Sequence, residues 1–181
     1  MPSRPFRLAR SVTGLGLFAA REIRKRERIA EYKGPRVSTE EAERRERKRN
    51  KYLFELNQKI TIDGTPRYNL ARYANHSCNP NAEPITYRKR IYIRALRRIK
   101  PGEEITYHYG MDYLRNVIGI SNCRCGRCRR RRAKKARIVY AQKQRAAKRQ
   151  LRRRSSVRAA DRRSPGPATR RAAPRRPARR R

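Results

Sequence analysis

Three clusters of residues in this chain carry groups suited to chemistry. The stretch Ile105-Thr106-Tyr107-His108-Tyr109 places two phenols at alternate positions. If it is extended, Ile105, Tyr107 and Tyr109 share one face, with Glu104, Thr106 and His108 on the other. Two phenols about 7 Å apart on one face can line a narrow channel; a strand whose tyrosines only cover a core is the competing reading. Upstream, Asn75-His76-Ser77-Cys78 offers an amide, an imidazole and a thiol. Such a histidine is open to metal ligation or general-base work. Gly14-Leu15-Gly16 would let the backbone approach a ligand closely, although a Gly-x-Gly pair is also an ordinary turn. The four cysteines, Cys78, Cys123, Cys125 and Cys128, suit metal better than disulfides in a reducing compartment, with merely buried thiols as the alternative.

The elements that must position these groups are short. Strands are expected at 6–10, 14–20 and 29–32, with Gly34-Pro35 closing the last. Ser38 followed by Glu41 forms a capping-box pattern that opens a helix from Thr39 to about Asn50, highly charged and therefore solvent-facing. Residues 52–56 and 59–63 read as a hairpin about Asn57-Gln58, and 84–87 with 90–96 as another. Pro101-Gly102 then turns into a strand over 104–109. Many short strands and one modest helix predict a mostly β domain.

Taken together, Arg72-Tyr73-Ala74-Asn75-His76-Ser77-Cys78-Asn79-Pro80-Asn81 and Gly102-Glu103-Glu104-Ile105-Thr106-Tyr107-His108-Tyr109-Gly110 resemble the two signature motifs of the SET-domain protein lysine methyltransferases. Cys123-Arg124-Cys125-Gly126-Arg127-Cys128 resembles the cysteine cluster that follows that domain in many members. The resemblance runs from about Phe6 to Cys128. It implies a SET fold of small β-sheets with a C-terminal pseudoknot and a short helix. It implies S-adenosylmethionine as methyl donor and a lysine of a basic, lysine-containing protein as acceptor, a histone or histone-like substrate above all. By resemblance Tyr109 is the catalytic tyrosine, Tyr107 influences how many methyl groups are added, and Tyr32 is a third channel aromatic. Gly14, Leu15, Gly16, Asn75, His76 and Tyr109 would hold the cofactor, His76 largely through its backbone. Asn69, Arg72 and Tyr73 would support the site. Cys78, Cys123, Cys125 and Cys128 would bind a structural Zn2+. The family's cluster usually has a longer spacer between its second and third cysteines, here only Gly126-Arg127. His108 and Pro35 stand where acids are frequent.

The formal net charge is +39, from 53 Lys and Arg against 14 acids. Residues 129–181 carry 24 of those cations against the single acid Asp161. The resemblance implies a SET domain over 6–112 and a zinc-binding segment over 113–128, and the charge marks 129–181 as a basic, largely disordered tail. Residues 129–151 hold enough Ala, Lys and Arg to become helical once neutralised, and prolines from Pro165 onward argue for disorder beyond Arg152. Such a tail should bind DNA or RNA through phosphates, with counterion release, since no aromatic follows Tyr140. Lys134, Lys135, Lys143 and Lys148 are candidate self-methylation sites. The alternatives to an enzyme are a catalytically weak SET scaffold that mainly binds nucleic acid, and a small zinc-stabilised interaction module. No run of about 18 apolar residues predicts a membrane span, and the N-terminus lacks the apolar core of a secretory signal. An intracellular location is expected, in cytoplasm, nucleoid or nucleus, not secreted. Oligomeric state is not written in the sequence.

Overall fold

The computed structural model describes residues 4–161. The described residues fold into three small antiparallel-rich sheets and a long C-terminal helix. Strands β1 (Phe6–Ser11) and β2 (Gly14–Ala19) form a hairpin in the register Phe6↔Ala19 to Ser11↔Gly14. Strands β3 (Arg28–Tyr32), β8 (Ala82–Tyr87) and β9 (Arg90–Ala95) make the second sheet in the order β3-β9-β8. Strands β4 (Arg36–Ser38), β5 (Leu53–Asn57) and β6 (Ile60–Asp63) make the third, in the order β4-β6-β5.

The alternation of side chains along the strands decides which face is core. In β9 Ile91, Ile93 and Ala95 are buried between Arg90, Tyr92 and Arg94, which are not. Cross-strand partners support the outer face: Arg94 meets Glu83 at 2.5 Å, opposite it in the ladder. Leu17, Ile23, Ile91, Ile93, Ile99 and Ile105 are the large apolar side chains fully removed from solvent, and they belong to one continuous core.

Helix α1 (Thr39–Arg47) starts as expected, the Glu41 amide donating to Ser38 Oγ at 3.3 Å. It ends earlier than its composition suggested, because Arg49 adopts a left-handed backbone (φ 63°) that turns the chain out of the helix. The Glu41 carboxylate does not complete the capping box; it accepts from Arg44 Nε at 2.7 Å and Arg45 Nε at 2.6 Å instead.

The placement of β10 (Glu104–Tyr107) fixes the site. It pairs antiparallel with β2 on one edge (Ile105↔Leu17) and parallel with β7 (Asn75–His76) on the other (Thr106↔Asn75, Tyr107↔His76). The segment after β7 is stitched across it: Ser77 N donates to Tyr107 O at 3.0 Å, Asn81 N to Thr106 O at 3.2 Å, and Asn81 Nδ2 to Glu104 O at 2.8 Å. A late strand captured by an earlier segment is the expected pseudoknot. The strand stops at Tyr107, two residues short of the expected end, and Gly110 (φ 96°) redirects the chain into the helical turn α2 (Met111–Tyr113).

Two compact units are distinguished, Met1–Ala133 and Lys134–Arg181. All three sheets and the cysteines lie in the first. Helix α3 (Gly126–Asp161) begins at the last cysteines and supplies the described part of the second. Disorder from Arg152 was expected, whereas helix continues to Asp161. Ala, Arg and Lys are strong helix formers, and the first proline comes only at Pro165. The remaining tail, 162–181, lies outside the described residues.

Candidate active site

Elements from all three sheets converge on a cavity of about 690 Å³. Its wall holds Tyr32 from the end of β3, Phe54 from β5, Tyr107 from the end of β10 and Tyr109 from the loop just beyond it, with Tyr113 of α2 and the loop residue Tyr52. The rings form a continuous series of contacts, mostly tilted or edge-on: Tyr32–Phe54 at 5.1 Å, Phe54–Tyr107 at 6.2 Å, Tyr107–Tyr109 at 4.8 Å and Tyr109–Tyr113 at 5.4 Å between centroids. Tyr107 and Tyr109 share a wall although β10 ends between them. The loss of strand geometry brings the rings closer than a regular alternation would.

Each phenol is anchored or buried. Tyr109 Oη donates to Ala74 O at 2.8 Å, and Tyr32 Oη to Tyr52 O at 2.9 Å. Tyr107 is only 8% exposed. Burial, and then the neighbouring phenols, push all three hydroxyls well above the ordinary tyrosine range. They are neutral donors at physiological pH and cannot serve as bases. Asn69, fully buried, ties two loops to this wall: its Oδ1 accepts from Lys33 N at 3.0 Å, and its Nδ2 donates to Gly64 O at 3.2 Å. Arg72 lies over the Tyr52 ring at 3.6 Å.

Thr13, Leu15 and Asn75 line the same cavity, and a second recess of about 160 Å³ continues past Ser11, Thr13, Asn75, His76 and Glu104 to Cys125. Asn75 Nδ2 bridges the Leu15 carbonyl (3.2 Å) and Glu104 Oε1 (2.8 Å). Gly16 leaves room for this bridge: a Cβ would stand 2.7 Å from Glu104 Oε1 and 3.0 Å from Asn75 Nδ2 and would push both side-chain ends aside. Leu15, the Asn75 amide and the tyrosine wall thus border one cavity, and Thr13 and Asn75 are shared with the recess beside it, giving a polar side and an aromatic side. A ligand with polar groups and a cationic reactive centre fits that division, because aromatic faces attract cations.

Cys78, distant in sequence, joins the local trio Cys123, Cys125 and Cys128. Their sulfurs lie within 4.8 Å of one another, with Cys78–Cys123 at 3.8 Å and Cys78–Cys128 at 3.6 Å. Zinc–sulfur bonds of about 2.3 Å give a tetrahedron with edges of about 3.8 Å, so the set fits one zinc ion. The two-residue spacer is accommodated because Cys128 rides on the first turn of α3. Burial opposes a thiolate at Cys125, but N–H groups of Cys78 and Cys128 outweigh it and lower this thiol to about 6. His76 stays outside the sulfur set, with burial and then the His108 ring lowering its imidazole to about 4.

Tyr32, Tyr107 and Tyr109 are therefore brought together, with Leu15 and Asn75 on the same cavity and Asn75 and His76 on the adjoining recess, whereas Gly14 and Gly16 line neither. Phe54, Tyr113 and Glu104 went unrecognised. Phe54 looked like any strand aromatic, and Tyr113 is brought in only by the turn at Gly110. Glu104 was placed on the far face of its strand, and that is the side on which Asn75 reaches it.

Residues 14–110 match the family model described as the SET domain. Histone-lysine N-methyltransferase 2D of Homo sapiens is 43% identical over 129 residues, covering 66% of this chain and 2% of that protein. Histone-lysine N-methyltransferase mes-4 of Caenorhabditis elegans is 37% identical over 134 residues, covering 62% and 15%. Among solved structures, ctPRC2 in an autoinhibited conformation bound to S-adenosylmethionine aligns with a TM-score of 0.55 at 34% identity, over 63% of this chain and 16% of that one. A humanized mutant of the Chaetomium thermophilum Polycomb Repressive Complex 2 bound to the inhibitor GSK126 gives 0.54 at 35%, over 64% and 16%. The chain spans only a small share of each of these relatives.

Proposed function

This chain belongs to the SET-domain family, and on that premise we propose that it transfers methyl groups from S-adenosylmethionine to lysine side chains of basic proteins, histones or histone-like proteins at chromatin. The observation that supports the reading is the single cavity lined by Tyr32, Tyr107 and Tyr109 together with Thr13, Leu15 and Asn75, the last held on the Leu15 carbonyl. Bound S-adenosylmethionine would supply an electrophilic methyl group on a sulfonium. Gly14, Leu15 and Gly16 would receive it along their backbone, with Asn75 and His76 beside them.

The tyrosines prepare the acceptor. A lysine ammonium with an ordinary pKa of about 10.4 must lose its proton to act as nucleophile. Desolvation between aromatic rings, next to a positive sulfonium, lowers that pKa and sends the proton to water before the nitrogen takes the methyl. With the three hydroxyls held as neutral donors, the wall contributes alignment and water exclusion rather than a base. Tyr109 would align donor and acceptor, Tyr107 would limit the number of methyl groups, and Tyr32 would close the channel. The cysteine set would hold zinc and fasten the segment 113–128.

The basic tail is proposed to bind DNA or RNA. Among the described side chains of α3 beyond Cys128 none is buried, and no acid occurs between Gly126 and Ala160. A helix so exposed and so densely cationic is suited to an anionic partner outside the fold, and phosphates are the complementary one. The same observation supports the second reading, a SET scaffold acting mainly on nucleic acid.

The deciding experiment is transfer from labelled S-adenosylmethionine to a panel of basic proteins, with Tyr109→Phe alongside. Label on lysine, largely lost in the variant, supports the enzyme. No transfer and no cofactor binding would move the assignment to the scaffold.

A further inference from the structure

We propose that His76 is a positioning residue that couples the four-cysteine cluster to Tyr109. Its two ring nitrogens face opposite ways. Nδ1 lies 3.3 Å from the Tyr109 backbone N, and Nε2 lies 3.3 Å from Cys78 Sγ. A backbone N–H can only donate, so Nδ1 is the acceptor. The neutral ring then carries its proton on Nε2, where it donates to the Cys78 sulfur. No other tautomer satisfies both contacts.

The surroundings hold the ring in that role. His76 is paired with Tyr107 in the parallel ladder, and its ring packs edge-on against Tyr109 (5.4 Å) and His108 (4.9 Å). The sulfur it faces is equally fixed: Cys78 N donates to Cys125 Sγ at 3.4 Å, and Cys78 O accepts from Arg127 Nη1 at 3.1 Å. Tyr109 has left the strand ladder, so its amide lacks a β partner and is held by this imidazole. A thiolate on a metal is a stronger acceptor than a thiol and draws the Nε2 proton towards sulfur, which makes Nδ1 the better acceptor for Tyr109. Metal loading at the cysteines would thus tighten the backbone that carries the tyrosine. The idea rests on the reading of Tyr109 as an active-site residue, but its test does not use methyl transfer.

Asparagine and glutamine divide the two contacts. His76→Asn places an amide where Nδ1 was and keeps an acceptor for the Tyr109 amide, but loses the donor to sulfur. His76→Gln reaches the Nε2 position and keeps that donor, but loses the acceptor. In the full zinc-loaded chain, chelator competition should show His76→Asn binding zinc roughly 10- to 100-fold more weakly, with His76→Gln close to the parent. The Tyr109 amide should lose its protection from hydrogen exchange in His76→Gln and keep most of it in His76→Asn. In the unsubstituted protein, exchanging zinc for cadmium should shift the Tyr109 amide without any mutation. Equal zinc affinity in both variants, or a Tyr109 amide indifferent to cadmium exchange, would overturn the coupling. Either result leaves the methyltransferase reading intact, and absent methyl transfer would leave the coupling standing.

Discussion

At the scale of single residues, the tyrosine wall makes sharp demands. Removing one hydroxyl from Tyr109 deletes its bond to the Ala74 carbonyl and the proposed alignment, while the ring and its packing remain. We expect Tyr109→Phe to reduce methyl transfer on the order of 100-fold with S-adenosylmethionine affinity nearly unchanged, as calorimetry and single-turnover assays would measure. Gly16→Ala should show the reverse pattern. Its Cβ would displace the ends of Glu104 and Asn75, which can move, so the fold survives and cofactor binding suffers. Gly34 lies against something that cannot give way: a Cβ there would stand 1.9 Å from the Asp63 carbonyl oxygen. Gly34→Ala should destabilise the fold by about 3 kcal/mol or more, read as a lower urea midpoint, while Gly16→Ala costs far less.

Charged residues add a pH dependence of defined sign. Asp63 is buried and loses stability to desolvation, yet Thr65, Arg45 and Asn50 hold its carboxyl below the usual range. Arg44 and Arg45 hold Glu41 down to about 2. Both folded values lie below those of the unfolded chain, so their contribution is complete above pH of about 4 to 5 and is lost as pH falls towards 2. Urea midpoints should therefore fall on acidification across that window. Arg45→Gln, which removes the cation common to both carboxylates, should flatten the fall.

At the scale of elements, the local signals were readable and the long-range ones were not. The hairpins at 53–63 and 82–95 follow from alternating β-branched and aromatic residues, and Ser38 opens α1 because its hydroxyl competes for a free amide. No alternation reveals that β10 will lie between β2 and β7, since such a pairing depends on a segment some thirty residues earlier. The site residues in the signature segments were legible through resemblance, whereas Phe54 and Tyr113 come from elements whose placement is tertiary. The turn between β8 and β9 is another case. Arg88 and Lys89 both have left-handed backbones (φ 47° and 56°), where Asn-Gly would be usual. Replacing them by Asn-Gly should stabilise the domain by roughly 1 kcal/mol, seen as a higher melting temperature without a change in methyl transfer.

At the scale of the whole molecule, charge dominates. The tail's cations should give duplex DNA binding a steep salt dependence, with log affinity falling by about 0.9 per phosphate neutralised for each tenfold rise in salt. Replacing Arg129, Arg130, Arg131, Arg145 and Arg149 with Gln should make that slope shallower by several units, measured by fluorescence titration. A slope equal to the parent's would remove the tail from the interaction. The cysteine set makes a second demand at this scale. Stripping zinc with a chelator should lower the melting temperature, because four sulfurs drawn from residues 78 to 128 would lose their common tie.

The capture of β10 also has a consequence for synthesis. The strand is among the last parts of the first unit to be made, yet it must settle between two segments already present. Pairings this distant along the chain form late in folding. A nascent chain with its first two hairpins complete therefore still has no channel, because two of its three tyrosines arrive with the final insertion. The three tyrosines thus come together in one step near the end of this unit's assembly, when the sheets around them have already formed.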